Sequence, residues 1–174
     1  DIVTLPYGVA IVGNTVEATK KAKALLQVTW SETSPFRQKS SDAVLEEYAR
    51  NAKDLSISGP AWILEKGKAR ETLETADNVL DALYTSDAAY HAQMEPLNAT
   101  ASVSKDGKSA EIWVGTQTQS LTILGSAETL GTTEDKITLH PLTMGGGFGR
   151  RSELHQQYID DALLVSKALK RPVK

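Results

Sequence analysis

The sequence contains no cysteine, which excludes disulfides, thiolate metal ligands and an iron–sulfur cluster held by these residues. Its three histidines, His91, His140 and His155, are far apart, and His91-Ala-Gln-Met94-Glu95 lacks the i, i+4 histidine pair of zinc hydrolases. A metal site made only of these side chains is not expected. No G-x-S-x-G elbow supports a serine nucleophile. No apolar run is long enough to span a bilayer, and there is no signal-peptide pattern. Excess positive charge is missing too: a net charge of −3 and a pI near 5.6 give no reason to expect nucleic acid or an anionic membrane as partner. Repeats and low-complexity tracts are absent.

What remains is 174 residues, 40% hydrophobic and 24% charged, the size and composition of one globular domain with one substantial core. Asp1 is no natural start, Ile2–Leu5 begins as a strand without a preceding turn, and Val173-Lys174 after Pro172 reads as the first step of another. A piece of something larger is expected.

Tyr7–Val12 reads as a buried-type strand, and Asn14-x-x-Glu17 resembles a capping box opening a short helix. Leu26, Val28 and Trp30 alternate as a returning strand. Val44, Leu45, Tyr48, Ala49 and Ala52 form the apolar face of a second helix. Ser58-Gly59-Pro60 predicts a turn, Ala61–Leu64 a short strand and Glu71–Asn78 a helical turn or two, while Val79–Tyr84 fits strand or helix. Ala99, Ala101 and Val103, then Ala110, Ile112 and Val114, alternate around Asp106-Gly107 as a hairpin with a type I′ turn. A helix carrying Leu121, Leu124, Ala127 and Leu130 ends at Gly131, a strand covers Ile137–Leu142, and a last helix aligns Tyr158, Ala162, Val165 and Leu169.

The one stretch that points to a ligand is Thr143-Met144-Gly145-Gly146-Gly147-Phe148-Gly149-Arg150-Arg151-Ser152. Its glycines allow conformations closed to other residues and leave bare backbone for a partner. Ser152 can N-cap a helix starting near Glu153, which would add a positive dipole end to the two arginines and suit an anionic cofactor. The spacing is neither G-x-G-x-x-G nor a P-loop, so a turn whose glycines only permit tight packing fits equally. Gln117, between a strand end and a helix start, reads as a cap, a solvent-facing amide or a cleft donor. Glu95 before Pro96 reads as a loop anchor rather than a base.

Taken together, His91-x-x-Met94-Glu95-Pro96-x-Asn98-x-Thr-Ala101, Ile112-Trp113-Val114-Gly115-Thr116-Gln117 and Gly145-Gly146-Gly147-Phe148-Gly149-Arg150-Arg151 resemble the molybdopterin-binding large subunit of the xanthine oxidase and aldehyde oxidase family. The resemblance is closest to the isoquinoline 1-oxidoreductase β-subunit. It implies an α+β fold with a mixed sheet and helices packed on one side, one piece of a larger cofactor-binding subunit. Residues 1–38 would end a preceding hammerhead-like domain, and 39–174 would begin the molybdopterin-binding domain. By resemblance, Gly146, Gly147, Phe148, Gly149 and Arg150 bind the cofactor, and Gln117 is the catalytic-site amide that faces it.

The activity so implied is oxidation of an aldehyde or N-heterocycle with water-derived oxygen, using a molybdenum–molybdopterin cofactor in its cytosine dinucleotide form. The partners implied are the remainder of the large subunit and a small iron–sulfur subunit, in a bacterial cytoplasm or periplasm, with residues 1–174 alone inactive and without cofactor. In purine-oxidising relatives a substrate-binding glutamate lies four residues after the motif phenylalanine. Here that position is Ser152, which turns the expectation away from purines. The reading from a different class is a non-catalytic binding or scaffold domain with a structural glycine turn.

Overall fold

The computed structural model describes residues 1–54, 56 and 66–174; the expected turn at Ser58-Gly59-Pro60 and strand at Ala61–Leu64 lie outside them. The chain forms two compact units, Asp1–Val28 with Tyr90–Lys174, and Thr29–Ala89.

The first unit is built on the hairpin of β3 (Thr100–Val103) and β4 (Ala110–Val114), paired antiparallel with Ala101 opposite Ile112. The turn differs from type I′. Gly107 N–H donates to Ser104 O (2.9 Å), and Gly107 alone has positive φ, +73°. Asp106 instead accepts from the Ser104 hydroxyl (2.6 Å) and Lys108 N–H (3.1 Å), a local side-chain bond that competes with the two-residue turn.

From β4 the chain crosses through α4 (Gln119–Leu130) and a short 3-10 turn (Glu134–Lys136) to β5 (Ile137–Pro141), which lies parallel to β4. Gly131 ends α4 at φ +67°, as its position after Leu130 predicts. The sheet is mixed, in order β3-β4-β5, and Val173 pairs with Ala101 at its free edge. Alternation sends Ala101, Val103, Ala110, Ile112, Val114 and Ile137 to one face, where they pack with Ala127 and Leu130 of α4 and Ile159, Ala162 and Leu163 of α5 (Gln157–Leu169). Each such large aliphatic contributes about 1.5–3 kcal/mol on burial. The expected α+β arrangement with helices on one side is the one observed. The other face carries Glu111 and Trp113, whose ring stacks on His140 at 4.8 Å.

Close approach of α4 to the segment before α5 depends on Gly125, where a Cβ would fall against the Leu154 carbonyl oxygen. A smaller cluster joins Val3 and Leu5 of β1 (Ile2–Leu5) to Val165, with β2 (Gly8–Ile11) paired antiparallel to β1. Helix α1 (Val16–Leu25) is capped by Thr15, whose hydroxyl accepts from Ala18 N–H (3.1 Å), one residue later than the expected Asn14 cap. Leu26–Trp30 forms no strand, because an alternating pattern needs a neighbouring strand and none pairs there among the described residues.

In the second unit, α2 (Ser41–Lys53) and α3 (Ala69–Thr75) appear where periodicity places them. Val79–Tyr84 is neither strand nor helix; Leu80 and Tyr84 are exposed and give that segment no packed face.

Candidate functional site

The three sequence motifs converge. The end of β4 delivers Gly115, Thr116 and Gln117 to the turn at 145–151, and residues 91–95 lie along the same turn. Beneath Gln117 sits a buried polar network. Thr116 and Thr122 hydroxyls meet at 2.8 Å, Gln156 Nε2 donates to Thr122 Oγ1 (2.8 Å), and Tyr158 OH donates to Gln156 Oε1 (2.7 Å) and Gly115 O (3.2 Å). Satisfied buried networks of this kind specify one arrangement of the segments they join.

Gln117 is exposed, yet its carboxamide is oriented. Its Oε1 accepts from Gly149 N–H (2.9 Å) and Arg151 N–H (3.4 Å), and its own backbone N–H donates to Arg151 O (2.9 Å). The hydrogen-bond pattern assigns oxygen to the turn and leaves the NH2 group without a partner among the described residues. Gln117 thus presents donors outward.

Each glycine of the turn has a separate reason. A Cβ on Gly145 would lie 2.5 Å from Glu95 Cβ, and one on Gly147 would lie 2.5 Å from Gln117 Oε1. Gly146 and Gly149 have φ of +108° and +98°, closed to most side chains. Phe148 reaches φ +56° without being glycine and leaves its ring 70% exposed. Ala92, in the neighbouring segment, also has positive φ, +49°. Such backbone persists only where surrounding contacts over-determine it, and it clusters at functional sites.

The arginines behave unlike the pair of free cations expected. Arg150 bonds Glu153 Oε2 (3.1 Å) and Gln157 Oε1 (3.0 Å), spanning the approach to α5. Arg151 is wholly buried: Nη1 donates to Gly115 O (3.1 Å), and Nη2 reaches Glu95 O (3.3 Å) and Glu95 Oε2 (2.9 Å). Its guanidinium also lies 5.9 Å from the Tyr158 ring centroid.

Ser152 does not cap a helix. Turn bonds Arg150 N–H to Gly147 O and Ser152 N–H to Gly149 O hold this stretch, the Ser152 hydroxyl donates to Gly149 O (2.7 Å), and α5 begins only at Gln157. The dipole expected beside the glycines is therefore displaced along the chain.

Glu95 is an anchor, as its place before Pro96 suggests. Its Oε2 accepts from Gly145 N–H (2.8 Å) and its Oε1 from Asn98 Nδ2 (3.0 Å). The Gly145 N–H, then the Asn98 amide, with the Arg151 charge behind them, hold its carboxyl below the usual carboxylate range. Sequence reading missed Arg151, Gln156 and Tyr158 as organisers of the site, because nothing in an Arg-Arg pair says which arginine is buried.

The family model described as molybdopterin cofactor-binding domain matches residues 56–174. The chain belongs to this family. The chain is 33% identical to the isoquinoline 1-oxidoreductase subunit beta of Brevundimonas diminuta, over 99% of this chain and 22% of that protein. It is also 33% identical to a membrane-bound aldehyde dehydrogenase [pyrroloquinoline-quinone] of Gluconacetobacter polyoxogenes, over 95% of this chain and 21% of the relative. The mouse xanthine dehydrogenase/oxidase is 28% identical over 95% of this chain and 12% of its own length. The chain thus spans about a fifth or less of the relatives it matches.

The residues present fit a large anionic cofactor. The buried side-chain polar atoms without a partner among the described residues are Gln93 Nε2, Thr118 Oγ1 and Arg151 Nε, all on residues flanking Gln117 and the glycine turn. Buried polar groups are ordinarily satisfied, so their concentration here is compatible with a partner from outside the chain.

Proposed function

We propose that this domain forms one wall of the cofactor site in a molybdenum hydroxylase that oxidises an aldehyde or N-heterocycle. The observation that carries the reading is Gln117: its oxygen is held by the turn and its NH2 faces outward beside bare glycine backbone. An amide donor and backbone N–H groups suit an oxo- and phosphate-bearing group, because they hold acceptors without competing as metal ligands. Gly146–Gly149 would receive the pterin side of the cofactor, Phe148 would cover it from water, and Arg150 would brace the turn through Glu153 and Gln157. When bound, the cofactor supplies two-electron oxidation with oxygen drawn from water.

Ser152 supports the proposed substrate class. Its hydroxyl is occupied by Gly149 O and Glu153 is paired with Arg150, so no free carboxylate stands where purine-oxidising relatives carry one. An aldehyde or apolar heterocycle suits the site better. The cytosine dinucleotide form of the cofactor, the remaining part of a large subunit and a small iron–sulfur subunit complete the proposal, with residues 1–174 alone folding but holding no cofactor. No helix among the described residues is long and apolar enough to cross a membrane. We place residues 1–38 at the end of a hammerhead-like domain and 39–174 in the molybdopterin-binding domain. The family match covers residues 56–174, and the compact units join 1–28 with 90–174 rather than dividing at residue 38.

The test is expression of the complete reading frame in a host that makes the molybdenum cofactor, followed by metal and nucleotide analysis and assays with aldehydes and isoquinoline. Stoichiometric molybdenum with turnover supports the proposal. Pyrroloquinoline quinone without molybdenum would move the protein toward the cofactor in one relative's name, and neither would leave a scaffold.

A further inference from the structure

Among the unpartnered polar atoms, Arg151 Nε belongs to a guanidinium whose two terminal nitrogens are bonded, and Thr118 Oγ1 is the single polar atom of its side chain. Gln93 is different. Its Nε2 is buried with no partner, and neither end of its carboxamide makes a hydrogen bond among the described residues.

The backbone brings this residue to the glycine turn. Ala92 takes φ +49°, a conformation that costs a residue bearing a Cβ, and thereby sets His91 against Gly149 and Gln93 against Gly146. A Cβ at Gly146 would lie 3.5 Å from Gln93 Cβ, whereas one at Gly149 would lie 3.4 Å from His91 Nε2. Gln117 serves Gly147 and Gly149; Gln93 stands beside Gly146.

We propose that Gln93 is a second carboxamide donor to the anionic cofactor, beside Gly146, acting with the outward NH2 of Gln117. This rests on the cofactor reading above. A neutral amide suits the task, since it offers N–H groups to pterin or phosphate oxygens without adding charge next to the Glu95–Arg151 pair.

The distinguishing property is opposite behaviour in the two states. An amide buried without a partner weakens the cofactor-free protein, and the same amide paired with an acceptor strengthens the loaded one. Gln93→Met keeps the volume and removes the polar end, while Gln93→Glu keeps the shape and sets an anion against an anion. Both are made in the complete protein expressed in a cofactor-making host. Molybdenum per polypeptide is followed during dialysis, and melting temperature is measured on cofactor-free samples.

The expected result is loss of molybdenum about tenfold faster from Gln93→Met, and faster still from Gln93→Glu. Cofactor-free Gln93→Met should melt at or above the wild-type temperature. Wild-type retention in both variants would overturn the proposal, as would a lower melting temperature of cofactor-free Gln93→Met, which would give the amide an internal role. A Gln117→Glu control separates the levels. If it loses molybdenum while the Gln93 variants do not, only the Gln93 role falls; a wild-type protein that takes up no molybdenum sinks both readings.

Discussion

The buried Arg151 guanidinium meets the Glu95 carboxylate at 2.9 Å, and the same carboxylate oxygen accepts from Gly145 N–H at 2.8 Å. One side chain therefore fixes both ends of the turn whose middle presents Phe148. Arg151→Met should destabilise the fold by roughly 3 kcal/mol, since it takes a donor from two carbonyls and removes the cation that faces the Glu95 carboxylate. Arg151→Lys should recover only part, because an ammonium lacks the planar fork. Urea titrations at neutral pH check both; equal stability of wild type and Arg151→Met would remove the pair from the account of the turn.

Acid should loosen this link in a defined direction. The Glu95 carboxyl is held below its ordinary value, so its contribution is complete above the unfolded-state pKa of about 4.3 and is lost as pH falls through the lower folded value. Asp160 has the opposite sign: burial raises its pKa, favouring its neutral form, and the resulting stability is lost as pH rises through the folded value. The two overlap, so the measurement compares wild type with Glu95→Gln. The stability difference between them should shrink as pH falls below 4.3 or so. A constant difference would show that the Glu95 charge is not what matters.

Substitutions at Gln117 separate folding from binding. Gln117→Glu keeps an acceptor for Gly149 and Arg151 N–H but turns the outward donor into an anion, so melting should stay near wild type while molybdenum content falls at least tenfold. Gln117→Met removes the acceptor as well and should cost about 1 kcal/mol or more of stability. Paired melting and metal assays distinguish the two outcomes.

Two glycines should fail for different reasons. Gly147→Ala collides with the end of the Gln117 side chain, which can swing away, so the protein should fold while its cofactor content drops. Gly125→Ala meets the backbone carbonyl of Leu154, which cannot yield so easily, and should cost about 3 kcal/mol with loss of the α4–α5 approach. Circular dichroism melts should therefore rank Gly125→Ala far below Gly147→Ala.

Local signals that named their own partners were legible. The β3–β4 hairpin, the Gly131 end of α4 and the strand at β5 needed only alternation or a glycine. Leu26–Trp30 alternates just as well, but a strand exists only where another lies beside it, and that is a property of the whole fold. The site divided in the same way. Gln117 and the glycines stand out in sequence, while the burial of Arg151 depends on Gly115, Glu95 and Tyr158 arriving from elsewhere. The turn type at Asp106 and the cap at Thr15 were decided by one or two side-chain hydrogen bonds between near-equivalent choices.

The packing of Val3 and Leu5 against Val165 has a consequence for synthesis. The β1–β2 hairpin leaves the ribosome about 150 residues ahead of α5, the helix that covers its apolar side. At common translation rates the interval is roughly ten to thirty seconds. During that time the nascent hairpin is a natural client for a chaperone, and slower decoding upstream of α5 would lengthen its exposure.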